Sequence, residues 1–272
     1  MTTARPGALR AAAPLLAFCV LAAGCSAAPD GGGESASPSK GSPSAKAPEP
    51  SRSTEPEGAF AADPDRLPRT RAEALALARA VAFRPEEWGA DFVALAPGES
   101  DPGTWAVLDD DCRWSREPLP DGVLAAVSRY SELPLGEGRG AVRVTAAVTV
   151  HTTEAGADTR LSTTLEEAMR CPEQEIRAGE RITELNSVGR PAGQGQNYAD
   201  DSVFEMGTHV RSVDGRALTS PYHWTVDRLG PVTIAVSVRG TTGEGSPEAT
   251  SVSSHGTVTM RSRLVDLLGE TS

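Results

Sequence analysis

Val142-Arg143-Val144-Thr145-Ala146-Ala147-Val148-Thr149-Val150-His151 decides the fold class. Val142, Val144, Ala146, Val148 and Val150 alternate with Arg143, Thr145, Ala147, Thr149 and His151. Successive side chains on a strand point to opposite faces, so this period of two predicts a long strand with one buried face. What flanks it predicts the rest. Downstream, Leu161, Leu165, Ala168 and Met169 recur at helical spacing, giving a helix from Asp158 to Arg170 that Pro172 stops. Four further strands follow, Arg181–Ser187, Ser202–Ser212, Leu218–Asp227 and Pro231–Gly240. Asp214-Gly215 and Leu229-Gly230 are turn signals between successive runs, which makes this part an antiparallel meander. A Gly/Ser segment, 240–250, leads to a closing helix with a face of Met260, Leu264, Leu267 and Leu268.

Upstream, Thr70-x-x-Glu73 is a capping box that opens a helix running to about Phe83, ended by Pro85. Its apolar face is Ala74, Leu77, Ala78 and Val81. Residues 86–122 read as loop-rich, with Trp88, Phe92, Trp105 and Trp114 as core plugs. Val123 to Tyr130 fits a strand or a short helix equally. The expected fold is α+β: one globular domain over 66–272, an antiparallel sheet with helices packed on one face, and one disulfide.

The start of the chain is of a different kind. Arg5 and Arg10 precede an apolar run from Ala11 to Ala23, too short to span a bilayer. It ends in Leu21-Ala22-Ala23-Gly24-Cys25, which resembles the lipobox of bacterial lipoproteins. The resemblance implies a signal peptide over 1–24, cleavage before Cys25 and acylation of its thiol, leaving a protein held on the outer face of the cell membrane. Each buried methylene contributes about 0.8 kcal/mol, so two or more acyl chains anchor stably. Residues 25–65 then read as a tether. Pro29 to Glu57 is Ser, Pro, Gly, Ala, Glu and Lys without an aromatic residue, and cannot bury enough surface to offset its ordering entropy. About 40 such residues reach roughly 35 Å.

The chain carries a formal charge of −11, and loss of Arg5 and Arg10 with the leader makes it more negative. It would be repelled by nucleic acid, which excludes that class of partner. Lysine is absent after Lys46. Of four cysteines, Cys19 falls in the leader and Cys25 takes the lipid. Cys112 and Cys171 remain, widely spaced and without clustered histidine, so a disulfide is expected rather than a redox or metal pair.

No G-x-S-x-G elbow, P-loop, H-E-x-x-H, S-x-x-K or G-x-G-x-x-G is present, so no catalytic residue, metal or cofactor is assigned. His151, His209, His223 and His255 lack paired ligand spacing. Asp109-Asp110-Asp111 and Asn197 to Asp201 invite a calcium reading, but lack its alternation of oxygen ligands and read as solvated loops. A serine in a noncontiguous triad stays open. Tyr222-His223-Trp224 stands out, because Tyr222 and Trp224 share one strand face and are either core or the lining of a ligand groove.

The lipobox, the tether and the order of elements resemble actinobacterial surface lipoproteins. More loosely, the helix Asp158–Arg170 ending in Cys171-Pro172, the Arg228-Leu229-Gly230-Pro231 turn feeding Val232–Val238 and the closing helix resemble the extracellular sensor domain of PknH-type serine/threonine kinases. That resemblance implies a ligand-sensing or binding domain with a groove and no established catalysis. The function expected is therefore a non-catalytic, membrane-tethered domain that binds a small ligand or an envelope partner. A cell-envelope hydrolase with a noncontiguous site, or a structural envelope protein, is the alternative.

Overall fold

The computed structural model describes residues 60–136, 140–191, 199–240 and 248–270. All of them belong to one compact unit, Ser53–Ser272. Cys25, the leader and most of the expected tether lie outside the described residues.

The alternating segment is a strand, Ala141–His151 (β5), at the heart of an eight-stranded antiparallel sheet. The other strands are β1 (Val93–Glu99), β4 (Val123–Pro134), β6 (Gln174–Arg177), β7 (Glu180–Pro191), β8 (Asp201–Val213), β9 (Arg216–Leu229) and β10 (Val232–Gly240). Their order is β1-β4-β5-β10-β9-β8-β7-β6. β2 (Thr104–Leu108) and β3 (Trp114–Pro118) form a separate hairpin. The ambiguous stretch from Val123 is strand because it pairs with β5 over its length, Val127 opposite Val148 and Tyr130 opposite Thr145. The β8–β9 turn is Asp214-Gly215, both at positive φ, 49° and 75°. Such a two-residue hairpin twists with its strands and favours Asp-Gly.

The buried residues of β5 sit opposite those of β10, with Val148 beside Ile234 and Val144 beside Val238. This face carries the main core. α1 (Arg71–Val81) covers it with Ala74, Ala78 and Val81, and α3 (Ala249–Leu268) with Met260, Leu264 and Leu268. The capping box of α1 is formed: Glu73 N–H donates to Thr70 Oγ1 at 3.2 Å, and Thr70 N–H to Glu73 Oε2 at 3.0 Å. Leu267, expected on the apolar face of α3, is 43% exposed.

Three further expectations change. The helices do not share one face. α2 (Glu154–Arg170) lies on the side opposite α1 and α3, where Leu161 packs on Val203 and Val226. An eight-stranded sheet has two faces, and Val203, Val226 and Ala235 make the second one apolar as well, so it too needs cover. The segment 86–122 is not loop-rich, for it contains β1, β2 and β3. Within it Trp88 and Phe92 join the main core beside Phe83, but Trp105 and Trp114 belong to the hairpin on the α2 side. Finally, Met169 points away from the α2 core at 77% exposure.

Cys112 and Cys171 are bonded, with Cα atoms 5.5 Å apart. The bond joins the hairpin turn to the C-terminal cap of α2. Glu175 N–H donates to Cys112 O at 2.8 Å, and Arg170 Nη1 donates to Asp109 O at 3.0 Å, which fix the same corner.

Candidate functional site

The sheet face that carries α2 also carries the odd residues of β5. Sheet register aligns Thr145, Ser237 and Trp224 across β5, β10 and β9, and Arg143, Arg239 and Tyr222 in the next row. The β2–β3 hairpin stands over these rows. Between hairpin and sheet runs a groove with a cavity of about 180 Å³. Trp224, Tyr222, Ala235 and Ala147 form its floor, with Trp114, Tyr130, Ile176 and Ile182 around it.

Tyr222 and Trp224 thus avoid the face covered by α1 and α3. Tyr222 is buried, at 5% exposure, and Trp224 is half-buried. Trp114 meets Trp224 edge to face, centroids 5.8 Å apart, and Trp114 Nε1 donates to Gln174 Oε1 at 2.8 Å. The hairpin is held from its other side by Trp105, over which Arg160 of α2 places its guanidinium at 5.2 Å. With the disulfide, these contacts make the groove walls a fixed part of the fold.

One end of the groove is basic. Arg239 lines it, and its buried Nε has no hydrogen-bond partner. Burial lowers the pKa of this arginine. Beside it, Arg143 Nη1 and Arg177 Nη2 donate to Glu180 Oε1 at 2.9 and 2.7 Å, and Arg143 also faces Glu132 at 3.6 Å. Burial pushes the Glu180 carboxyl up, but neighbouring His209, Arg177 and Arg143 more than offset this and hold it well below the usual range. Three guanidiniums therefore meet two carboxylates. Arg116 also lines the groove but is bound to Thr104, Nε to Oγ1 at 2.9 Å and Nη2 to the carbonyl at 2.7 Å.

Adjacent to Glu180 is a constellation of nucleophile type. Ser220 Oγ lies 3.2 Å from His209 Nδ1, and His209 Nε2 lies 3.6 Å from Glu180 Oε2. Ser220 and His209 face each other across β8 and β9. Both are buried, at 9% and 4% exposure, and neither lines the groove. The carboxylate that would polarise the imidazole already neutralises two arginines.

The other sequence candidates have ordinary roles. Asp109 accepts from Arg113 N–H, Asp111 pairs with Arg113 and Asp110 with Arg170. Asp200 and Asp201 pair with Arg228 at 3.1 and 2.6 Å, and Asn197 lies outside the described residues. No group of three potential metal ligands occurs among the described residues. His223 stacks near Phe204, and His255 meets Phe83 edge-on.

Sequence reasoning missed Arg239, Trp114 and Tyr130. Tyr130 and Arg239 meet only through the pairing of β4, β5 and β10, and Trp114 only where the hairpin folds over the sheet, so none of them leaves a local signal. No family model matches the chain, and no curated protein was found to resemble it.

Proposed function

We propose that the protein is a lipid-anchored extracytoplasmic binding protein whose groove takes a small ligand with a planar apolar group and an anionic end. The observation that carries this is the lining: four of the chain's seven Trp and Tyr residues border one groove, and Arg239 lines one end of it. Aromatic faces favour a planar ligand by offset or edge-to-face contact, worth about 0.5–1.5 kcal/mol beyond area burial. A carboxylate or phosphate meeting Arg239 would complete the charge balance that Glu180 and Glu132 leave unfilled. The volume is below the 300–1,000 Å³ common for drug-sized ligands, so the occupant is one ring system or one side chain of a larger molecule. The anchor supporting the extracytoplasmic part is the Leu21–Cys25 lipobox, and the disulfide fits an oxidising compartment. Calorimetry with indole-3-acetate and its neutral amide tests the reading. Saturable binding of the acid, weakened in Arg239→Gln and Trp224→Ala, is expected. Equal binding of acid and amide would remove the anionic end from the proposal.

A second reading rests on Ser220, His209 and Glu180. A hydrolase would use Ser220 Oγ as nucleophile, with His209 Nδ1 taking its proton. Hydrolysis of 4-nitrophenyl acetate that disappears in both Ser220→Ala and His209→Gln would establish it. Rates equal to those of the variants assign the three residues to holding β7, β8 and β9 together.

A further inference from the structure

α2 meets the sheet through charges as well as through Leu161. Glu205 of β8 lies in one cross-strand row with Ser187 of β7 and Trp224 of β9. Trp224 belongs to the groove floor, and residues directly opposite across two strands share a face, so Glu205 is its immediate neighbour. Glu167 and Arg160 of α2 act on Glu205 from above, and Tyr222 of β9 lies near it. Glu205 is 1% exposed and Glu167 5%, and one carboxyl oxygen of each has no hydrogen-bond partner. A single guanidinium serves both. Arg160 Nη1 donates to Glu167 Oε1 at 2.9 Å, and the same group lies 5.2 Å over the ring of Trp105 on β2. Arg160 therefore ties α2 to the hairpin that walls the groove.

Two buried carboxylates against one cation would leave a negative charge uncompensated, so the arrangement keeps one proton. Glu205 holds it, because Arg160 is committed to Glu167. Burial above all, together with the Glu167 carboxyl, pushes the Glu205 group up to about 8, with Ser187 and Arg160 opposing in part. The neighbouring groups do not titrate there. Burial, then Glu205, holds Tyr222 protonated far above this range, and burial, then Arg160, brings His151 down to about 4.

We propose that Glu205 is a proton latch on the groove. Protonated, it leaves Arg160 between Glu167 and Trp105, and the hairpin stays clamped to α2. When its proton passes to solvent base, the new carboxylate draws Arg160 from Trp105 and the groove wall loosens. Only the effect on a ligand rests on the groove reading above. The latch itself is tested without ligand, on the ¹⁹F resonances of the full chain labelled with 5-fluorotryptophan, from pH 6 to pH 9. The Trp105 signal is expected to move with a midpoint near 8, and to stay still in Glu205→Gln, which keeps the shape of the protonated acid. In Glu167→Gln the competing carboxylate is gone and Arg160 is available to Glu205, so the midpoint should fall by about one pH unit or more. A Trp105 signal that does not titrate, or that titrates alike in the parent and Glu205→Gln, overturns the latch. Affinity for indole-3-acetate, whose carboxylate stays ionised over this range, is then compared at pH 6 and pH 9. A fall of about fivefold is expected in the parent and none in Glu205→Gln. Equal affinity at both pH values, in a parent whose Trp105 titrates, overturns control of the groove. Absence of binding at pH 6 removes the groove reading instead, and the ligand-free result alone decides the latch.

Discussion

Glu205 offers a perturbation whose sign runs against intuition. It sits on β8 beneath α2, 1% exposed, and its Oε2 has no hydrogen-bond partner. Burial raises its pKa to about 8, the carboxyl of Glu167 adds to this, and Ser187 and Arg160 oppose it in part. In the unfolded chain the same group titrates near 4.5. Folding therefore takes up a proton between these values, and the stability this group contributes is greatest below about pH 4.5 and is lost as pH rises toward 8. At about 1.4 kcal/mol per pH unit, the whole loss is about 5 kcal/mol, of which about 3 kcal/mol has gone by pH 7. Glu205→Gln keeps the shape of the protonated acid and cannot ionise. The variant is expected to be more stable than the parent by about 3 kcal/mol at pH 7 and by less than about 1 kcal/mol at pH 5. Urea unfolding followed by tryptophan fluorescence at several pH values gives the difference, in which titrations elsewhere cancel. A difference that does not change with pH, or a variant less stable at pH 7, would refute the reasoning.

Replacing Cys112 and Cys171 with serine releases a loop of 59 residues and should cost about 4 kcal/mol in urea unfolding. Denatured, unreduced domain lacking the leader and Cys25 should contain no titratable thiol. Gly256→Ala would drive a methyl carbon into Trp88 Cη2, an overpacking worth about 1–3 kcal/mol; an unchanged melting temperature would show that Trp88 yields freely. Cys25→Ala should abolish lipid labelling and release the protein from the membrane fraction, and retention at parental levels would remove the anchor.

What could be read ahead of the structure was whatever is local. The alternation of Val142 to Val150, the Thr70 capping box and the Asp214-Gly215 turn are each encoded within a dozen residues, and each formed as expected. Helix Glu154–Arg170 begins four residues before the expected Asp158 because Thr153 supplies its cap. Strand β4 was ambiguous because Leu124, Ala125 and Ala126 suit either state, and pairing with β5 decides it. The second covered face was hidden because Val203, Val226 and Ala235 come from three strands and meet only by register. The groove was half legible: Tyr222 and Trp224 are close in sequence, whereas Trp114 reaches them by way of the hairpin and the disulfide. Arg239 reads as an ordinary surface residue until its row with Arg143 and Tyr222 is known.

The central claim is that the space between Trp114 and Trp224 receives a ligand. Its most direct measurement is the set of four tryptophan indole N–H resonances during titration with indole-3-acetate. Trp114 and Trp224 line the groove, whereas Trp88 belongs to the opposite core and Trp105 to the far side of the hairpin. The account predicts saturable shifts of the Trp114 and Trp224 signals, with those of Trp88 and Trp105 unmoved. Shifts spread evenly over all four, or none that saturate, would contradict it.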